Sequence, residues 1–422
     1  MSQPAHTASP PLQRRLGVGD AVLIGLGSMI GAGIFAALAP AARAAGSGLL
    51  LALAVAAVVA YCNATSSARL AARYPASGGT YVYGRERLGD FWGYLAGWAF
   101  VIGKTASCAA MALTVGSYVW PHHAHAVAVA AVVALTAVNY AGIQKSAWLT
   151  RATVAVVLAV LAAVVAAGLT SPTADAGQLS ISSDATVTGV LQAAGLLFFA
   201  FAGYARIATL GEEVRDPTRT IPRAIPLALS LTLIVYAAVA LAVLTVLGPR
   251  GLGEASAPLS ETVRAAGANW LTPAVRAGAA VAALGSLLAL ILGVSRTTLA
   301  MARDRHLPHV LAAVHPRFKV PHRAELLVGA VVVMLAAADV RGAIGFSSFG
   351  VLVYYAIANA SAWTLTPDEN RPPRIVPALG LAGCLLLAFT LPAASIRWGA
   401  TVLAAGIAAY GIRRVISARR AS

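Results

Sequence analysis

The chain has 422 residues, 59% of them hydrophobic and only 11% charged, with a mean hydropathy of +0.77. Soluble domains carry roughly a quarter charged residues, so a soluble globular protein is excluded and an all-α, multi-pass membrane protein is expected. The formal net charge of +16 invites a nucleic-acid partner, but the placement of the basic residues removes the need for one.

A helix crossing the hydrocarbon core needs about 20 mostly apolar residues. Twelve such runs follow in chain order: 18–44, 48–72, 92–120, 124–141, 147–168, 187–211, 223–247, 271–302, 323–339, 342–364, 374–392 and 396–412. The polar stretch Met1–Asp20 leads directly into a glycine-rich span, unlike a cleavable signal peptide. With the N-terminus inside, 23 of the 31 Lys and Arg fall on cytoplasmic segments or span ends, including Arg14, Arg15, Lys145, Arg215 and Arg419. Six fall outside, and Lys104 and Arg206 lie within spans. This is the positive-inside asymmetry. It places both tails (1–17 and 413–422) in the cytoplasm and the spans in the cell membrane. The Ala- and Val-rich runs read as lipid-facing and packing surface, and their composition suggests a GC-rich, bacterial genome.

The first span carries Gly25-Leu-Gly-Ser-Met-Ile-Gly-Ala-Gly-Ile-Phe35, and the sixth carries Phe198-Phe-Ala-Phe-Ala-Gly-Tyr204. Glycine at both places predicts interrupted helices, near Ile30–Ile34 and near Ala202–Gly203. Lipid cannot satisfy the backbone groups released by a break, so a break survives only where protein lines it. A matched pair in two halves of a chain points to the binding site of a secondary transporter. The start of an outer half-helix offers N–H groups and a positive dipole end to an anion, and the end of an inner half-helix offers carbonyls to a cation. The plainer alternative is a small-residue packing surface, for which Gly27 and Gly31 have the Gly-x-x-x-Gly spacing.

Lys104, in the third span, admits two readings of equal weight: a desolvated amine that trades its proton, or a lysine snorkelling to the interface. Arg206 stays charged and suits a fixed counter-ion or gate. Ser286 and Ser295 in the eighth span could line a small-cation site or bond their own backbone. None of the 15 acidic residues falls near mid-span; Asp20, Glu86, Asp90, Asp304 and Glu325 sit at span ends or in loops. Cys62, Cys108 and Cys384 have no disulfide or zinc spacing and read as small buried hydrophobes. His122, His123 and His125 read as a solvated turn rather than a metal site. No metal or cofactor is expected.

Five stretches, in order and at the right spans, resemble the amino acid–polyamine–organocation (APC) superfamily: the glycine-broken first span, Tyr-Pro-x-Ser-Gly-Gly-x-Tyr at 74–81, Phe-Phe-Ala-Phe-x-Gly-Tyr at 198–204, Glu-Glu-x-x-Asp-Pro-x-Arg-x-Ile-Pro-Arg-Ala-Ile at 212–225 and Ala-Arg-Asp-x-x-Leu-Pro at 302–308. The resemblance implies a five-plus-five inverted repeat, spans 1–5 (18–168) and 6–10 (187–364), with spans 11 and 12 (374–412) outside it. It implies alternating access, a bundle of spans 1, 2, 6 and 7 rocking against spans 3, 4, 5 and 8. It further implies that Ile30, Gly31, Ala32, Gly33 and Ile34 meet a substrate's α-carboxylate and α-amino group, and that Phe199, Phe201, Ala202, Gly203 and Tyr204 complete the site. Either Phe199 or Phe201 would be the aromatic lid. Two departures matter. Where cationic amino acid relatives often place an acid after the aromatic, this chain has Ala205 and Arg206, and the lysine some relatives carry in the fifth helix is missing near Val157.

The expected function is therefore a secondary transporter of neutral amino acids, proton-coupled or exchanging. The alternatives are a transport-fold sensor without turnover and a cationic amino acid or polyamine permease. An integral-membrane enzyme would need clustered His, Cys, Asp or Glu at one depth, and none is present. Lipid and a small-molecule amino acid substrate are the expected partners, with protons where transport is proton-coupled.

Overall fold

A computed structural model describes residues 16–75, 78–142, 147–208, 214–337 and 339–421. Arg14, Arg15, Ser77, Lys145, Glu212 and Glu213 lie outside the described residues, as does most of the N-terminal tail. The described chain is helical, with one isolated parallel bridge between Leu16 and Val214.

The helices are α1 (Val18–Met29), α2 (Ala32–Ala36), α3 (Leu38–Ala45), α4 (Leu49–Arg73), α5 (Thr80–Leu88), α6 (Asp90–Val119), α7 (Ala124–Tyr140), α8 (Ala147–Leu169), α9 (Val187–Phe201), α10 (Ala205–Ala208), α11 (Pro217–Glu254), α12 (Pro258–Ala265), α13 (Thr272–Arg303), α14 (His322–Leu335), α15 (Val340–Trp363), α16 (Ile375–Thr390) and α17 (Ala393–Ala421). Among the described residues ten helical stretches are long and apolar enough to cross a membrane. The segments expected as ninth and eleventh spans form shorter helices, α14 with 14 residues and α16 with 16. The apolar run behind α14 overreaches because the chain turns after Leu335 and Asp339 caps a new helix, its carboxylate accepting from the Arg341 and Gly342 amides.

Helices α1, α3, α4, α9 and α11 pack on one another, and α6, α7, α13 and α14 form a second group, joined to the first through α8 and α15. The most apolar 18-residue windows of α6 and α15 are each 83% buried, whereas that of α17 is 11% buried; α17 is thus peripheral. Large apolar side chains such as Val58, Val133, Ile234 and Phe389 stay exposed on the outer faces of spans, where lipid would sit. The expected buried cysteines are found, all three free. Residue 16 and the connections after α4, α7, α13 and α15 share one face, called here the N-terminal face.

Candidate functional site

Both interruptions fall where glycine forecasts them. Helix α1 stops at Met29; Ile30 (φ −79°, ψ 53°) and Gly31 (φ −102°, ψ −139°) both leave helical geometry before α2 begins with no side chain capping its start. From Ala32 the outer half runs through Ala37 into α3. The second interruption follows Phe201, where Ala202–Tyr204 tighten into a 3₁₀ turn before α10.

These two segments cross in backbone contact. A Cβ built on Gly33 would stand 2.6 Å from Ala200 Cα, and one on Gly203 would stand 2.3 Å from Ser28 O. On Gly31 it would lie 2.1 Å from Ser286 Oγ, and on Gly27 3.0 Å from a Val154 methyl. The space these glycines leave is therefore filled by neighbouring protein. Close packing, the plainer alternative for Gly27 and Gly31, is thus found at both and extends to Gly33 and Gly203.

Hydroxyls meet the carbonyls released at the first break. Tyr236 Oη, fully buried on α11, lies 2.5 Å from Met29 O and 3.0 Å from Ala200 O, so one hydroxyl proton bridges both interrupted helices. Ser286 Oγ donates at 3.5 Å to Gly27 O, the long limit of such a bond. Ser295 instead bonds Ile291 O on its own helix at 2.7 Å. Sequence inspection missed Tyr236, since a lone tyrosine in an apolar run looks like any packing residue.

At the second break Lys104 comes inside. It is 6% exposed and its Nζ donates to Ala202 O at 3.3 Å, with Tyr355 Oη 3.5 Å from the same oxygen. An ammonium held on an interior carbonyl is not snorkelling. Tyr204 is buried against the Tyr355 ring (centroids 5.1 Å apart) and Phe201 against Tyr236 (5.2 Å), while Phe199 keeps 8% exposure. Ile30, Ala32 and Ile34 are buried within the crossing, and Arg206 is half-buried on α10.

Elsewhere, a cleft of about 460 Å³ opens on the N-terminal face, lined by Arg73, Tyr74, Tyr81, Arg85, Asp304 and neighbours. Its charges are already paired: Arg85 Nη1 meets Asp304 Oδ2 at 2.9 Å, and Tyr81 Oη donates to the same oxygen at 2.5 Å. Burial, reinforced by Asp304, lifts the Tyr81 phenol above its ordinary range, and burial lowers His306 beside it. On the opposite face His125 Nδ1 contacts Ala336 O at 2.8 Å. Among the described residues no cluster of three His, Cys, Asp or Glu could hold a metal ion.

The family described as amino acid permease matches residues 16–409. An uncharacterized transporter of Mycobacterium tuberculosis is 78% identical over 97% of this chain and 93% of its own length. A branched-chain amino acid permease of Bacillus subtilis is 25% identical over 92% of this chain and 90% of its own. Human cationic amino acid transporter 4 is 29% identical over 87% of this chain and 62% of its own.

Proposed function

The chain belongs to the amino acid permease family, and on that premise we propose that it is a secondary transporter moving neutral amino acids across the bacterial cell membrane by alternating access. The observation that carries this reading is the crossing of two interrupted helices in the protein interior, with unspent backbone groups at α2 and a lysine on Ala202 O. In this reading the amides at the start of α2, over Gly31–Ile34, hold the substrate carboxylate with the help of the helix dipole. Carbonyls at the end of α1 and at Ala202 hold the ammonium, and Phe199 covers the bound molecule. Two inverted repeats of five spans each, two further spans outside them and both termini cytoplasmic complete the proposed architecture.

Two features favour a neutral side chain. The sequence has no acidic residue between Asp20 and Glu86 or between Asp184 and Glu212, and Asp20, in the first turn of α1, is paired with Arg151, so neither break has a carboxylate beside it for a second ammonium or a guanidinium. Lys104 itself would repel one. The Bacillus permease named for branched-chain substrates fits this choice better than the human transporter named for cationic ones.

Lys104 supplies the coupling. A substrate ammonium arriving at Ala202 O would face the lysine ammonium on the same oxygen, and two like charges there disfavour each other. Substrate binding and Lys104 protonation are therefore linked, reciprocally. The test is counterflow of a labelled branched-chain amino acid in proteoliposomes, competed by a panel of unlabelled amino acids at several pH values. Neutral amino acids should compete and lysine and arginine should not, and Lys104→Met should flatten the pH dependence. Absence of counterflow with every amino acid would reject transport; an unaltered pH profile in Lys104→Met would reject the linkage.

A further inference from the structure

A carboxyl group stands in the protein interior, away from the crossing, with no ion-pair partner among the described residues. Glu325 is in the first turn of α14, the span end the sequence gives it, and it is 0% exposed. Among the described residues neither of its carboxyl oxygens has a hydrogen-bond partner. One turn further along α14, a Cβ on Gly329 would lie 2.7 Å from Thr136 Oγ1 on α7, and that hydroxyl is also buried and unpartnered. One turn before Glu325, His322 Nδ1 is likewise unpartnered. Three unsatisfied polar groups from two helices thus share one seam.

The groups around the seam are spent or turned away. Asn139 on α7 gives its amide to Leu288 O on α13 at 3.2 Å. Arg296 on α13 is the cation whose field reaches Glu325, but it is exposed and forms no ion pair with it among the described residues. Arg323 is exposed and donates to Val310 O at 3.3 Å. The dipole at the start of α14 favours an anion only modestly. A carboxylate buried without donors is far more costly than a neutral carboxylic acid.

We propose that Glu325 is a proton-binding site, separate from Lys104, loaded from the N-terminal face and used in the transport cycle. The ligand is a proton because, among the described residues, the site offers one carboxyl group and no ring of further oxygens. Aromatic and imidazole rings lead from the start of α14 toward the N-terminal face. The His322 ring lies 6.2 Å from Tyr140 and 5.4 Å from His315 between centroids, and His315 is half-buried in the loop before α14. His315 Nδ1 accepts from the Arg317 and Phe318 amides at 3.2 Å, which fixes that ring beside His322. Release follows when α14 separates from α7, or when Arg296 turns inward and pairs with the carboxylate.

The use of this proton rests on the transport reading above; its presence does not. Infrared spectroscopy of the full-length protein in proteoliposomes should show a protonated-carboxyl C=O band at neutral pH that is absent from Glu325→Gln. Glutamine keeps the volume and mimics the neutral acid, so the variant should melt like the wild type. With an imposed proton gradient, Glu325→Gln should keep amino acid counterflow and lose the stimulation of uptake by the gradient. No such band in the wild type, a band unchanged by the substitution, or undiminished stimulation would each overturn the proposal. If the wild type shows no counterflow at all, the transport reading fails while the infrared band still decides whether Glu325 holds a proton.

Discussion

At the first interrupted helix the released carbonyls are met by neutral hydroxyls, Tyr236 at Met29 and, at the limit of range, Ser286 at Gly27. At the second, Ala202 O is met by a lysine ammonium. A hydroxyl can leave a carbonyl and find another acceptor without changing charge. An ammonium that leaves must take its charge elsewhere or surrender a proton to the surroundings. The first break is thus suited to positioning, and the second to coupling a substrate's arrival to a titration. The two breaks are still one device, because Tyr236 also reaches Ala200 on the second helix and the glycines let the backbones touch.

The most severe way to break this arrangement is steric. A side chain at Gly203 would stand 2.3 Å from Ser28 O, which is backbone and cannot swing aside. Overpacking typically costs about 1–3 kcal/mol and more where backbone must shift. Gly203→Val should abolish uptake and lower the melting temperature of the detergent-purified protein. Wild-type transport in that variant would mean that the helices do not cross this closely.

Next in size is Tyr236→Phe, which keeps the ring on Phe201 and removes the hydroxyl between Met29 O and Ala200 O. A buried acceptor left without a donor costs about 1–3 kcal/mol, which corresponds to roughly five- to more than a hundredfold in an equilibrium constant. Counterflow should show a weaker apparent affinity by a factor in that range, with the pH profile keeping its shape because Lys104 is intact. A flattened profile would mean that the two breaks cannot be separated into positioning and coupling.

A milder pair of substitutions asks what Gly31 is for. Its absent Cβ would meet Ser286 Oγ at 2.1 Å, a side-chain atom rather than backbone. Gly31→Ala should impair uptake, and adding Ser286→Gly should restore most of it, a coupling readable in a double-mutant cycle. If the second change rescues nothing, the glycine is needed for the approach of the substrate and not of Ser286.

Much of this was legible beforehand, and the reasons divide by residue. Glycine inside an apolar run is a sparse signal with few physical explanations, so the breaks at Gly31 and Gly203 could be read from the sequence. Hydropathy gave the helical membrane class because lipid accepts little else. Tyr236 and Tyr355 could not be distinguished from packing aromatics, since their value lies in which carbonyl each hydroxyl reaches. Lys104 remained divided between two readings until the fold placed it on Ala202. Glu325 does sit at the end of a span, but its burial could not be read from the sequence because position along a helix does not reveal what covers it.

The two interrupted helices are joined a second time on the face opposite residue 16, outside the spans, and this joint gives the smallest expected effect. Asp184, in the loop before α9, accepts from Ser47 N at 3.2 Å and from Ser47 Oγ at 2.5 Å in the turn after α3, where Gly46 adopts φ 55°. Ser182 Oγ donates to it as well, at 2.5 Å. These donors, the Ser182 hydroxyl first and then that of Ser47, hold the carboxyl at about 2 against an ordinary 3.8. The folded value is depressed, so the stabilisation is present above the ordinary value and disappears as pH falls through the folded one. Thermal unfolding of the wild type should therefore lose this increment between pH 3.8 and about 2. Asp184→Asn, which cannot ionise, should start lower and lack that step. Asp184 is exposed and its anion shares solvent, so the step should be small beside the loss in Gly203→Val. Identical acid profiles would mean that the outer joint contributes nothing and the helices are held together at their crossing alone.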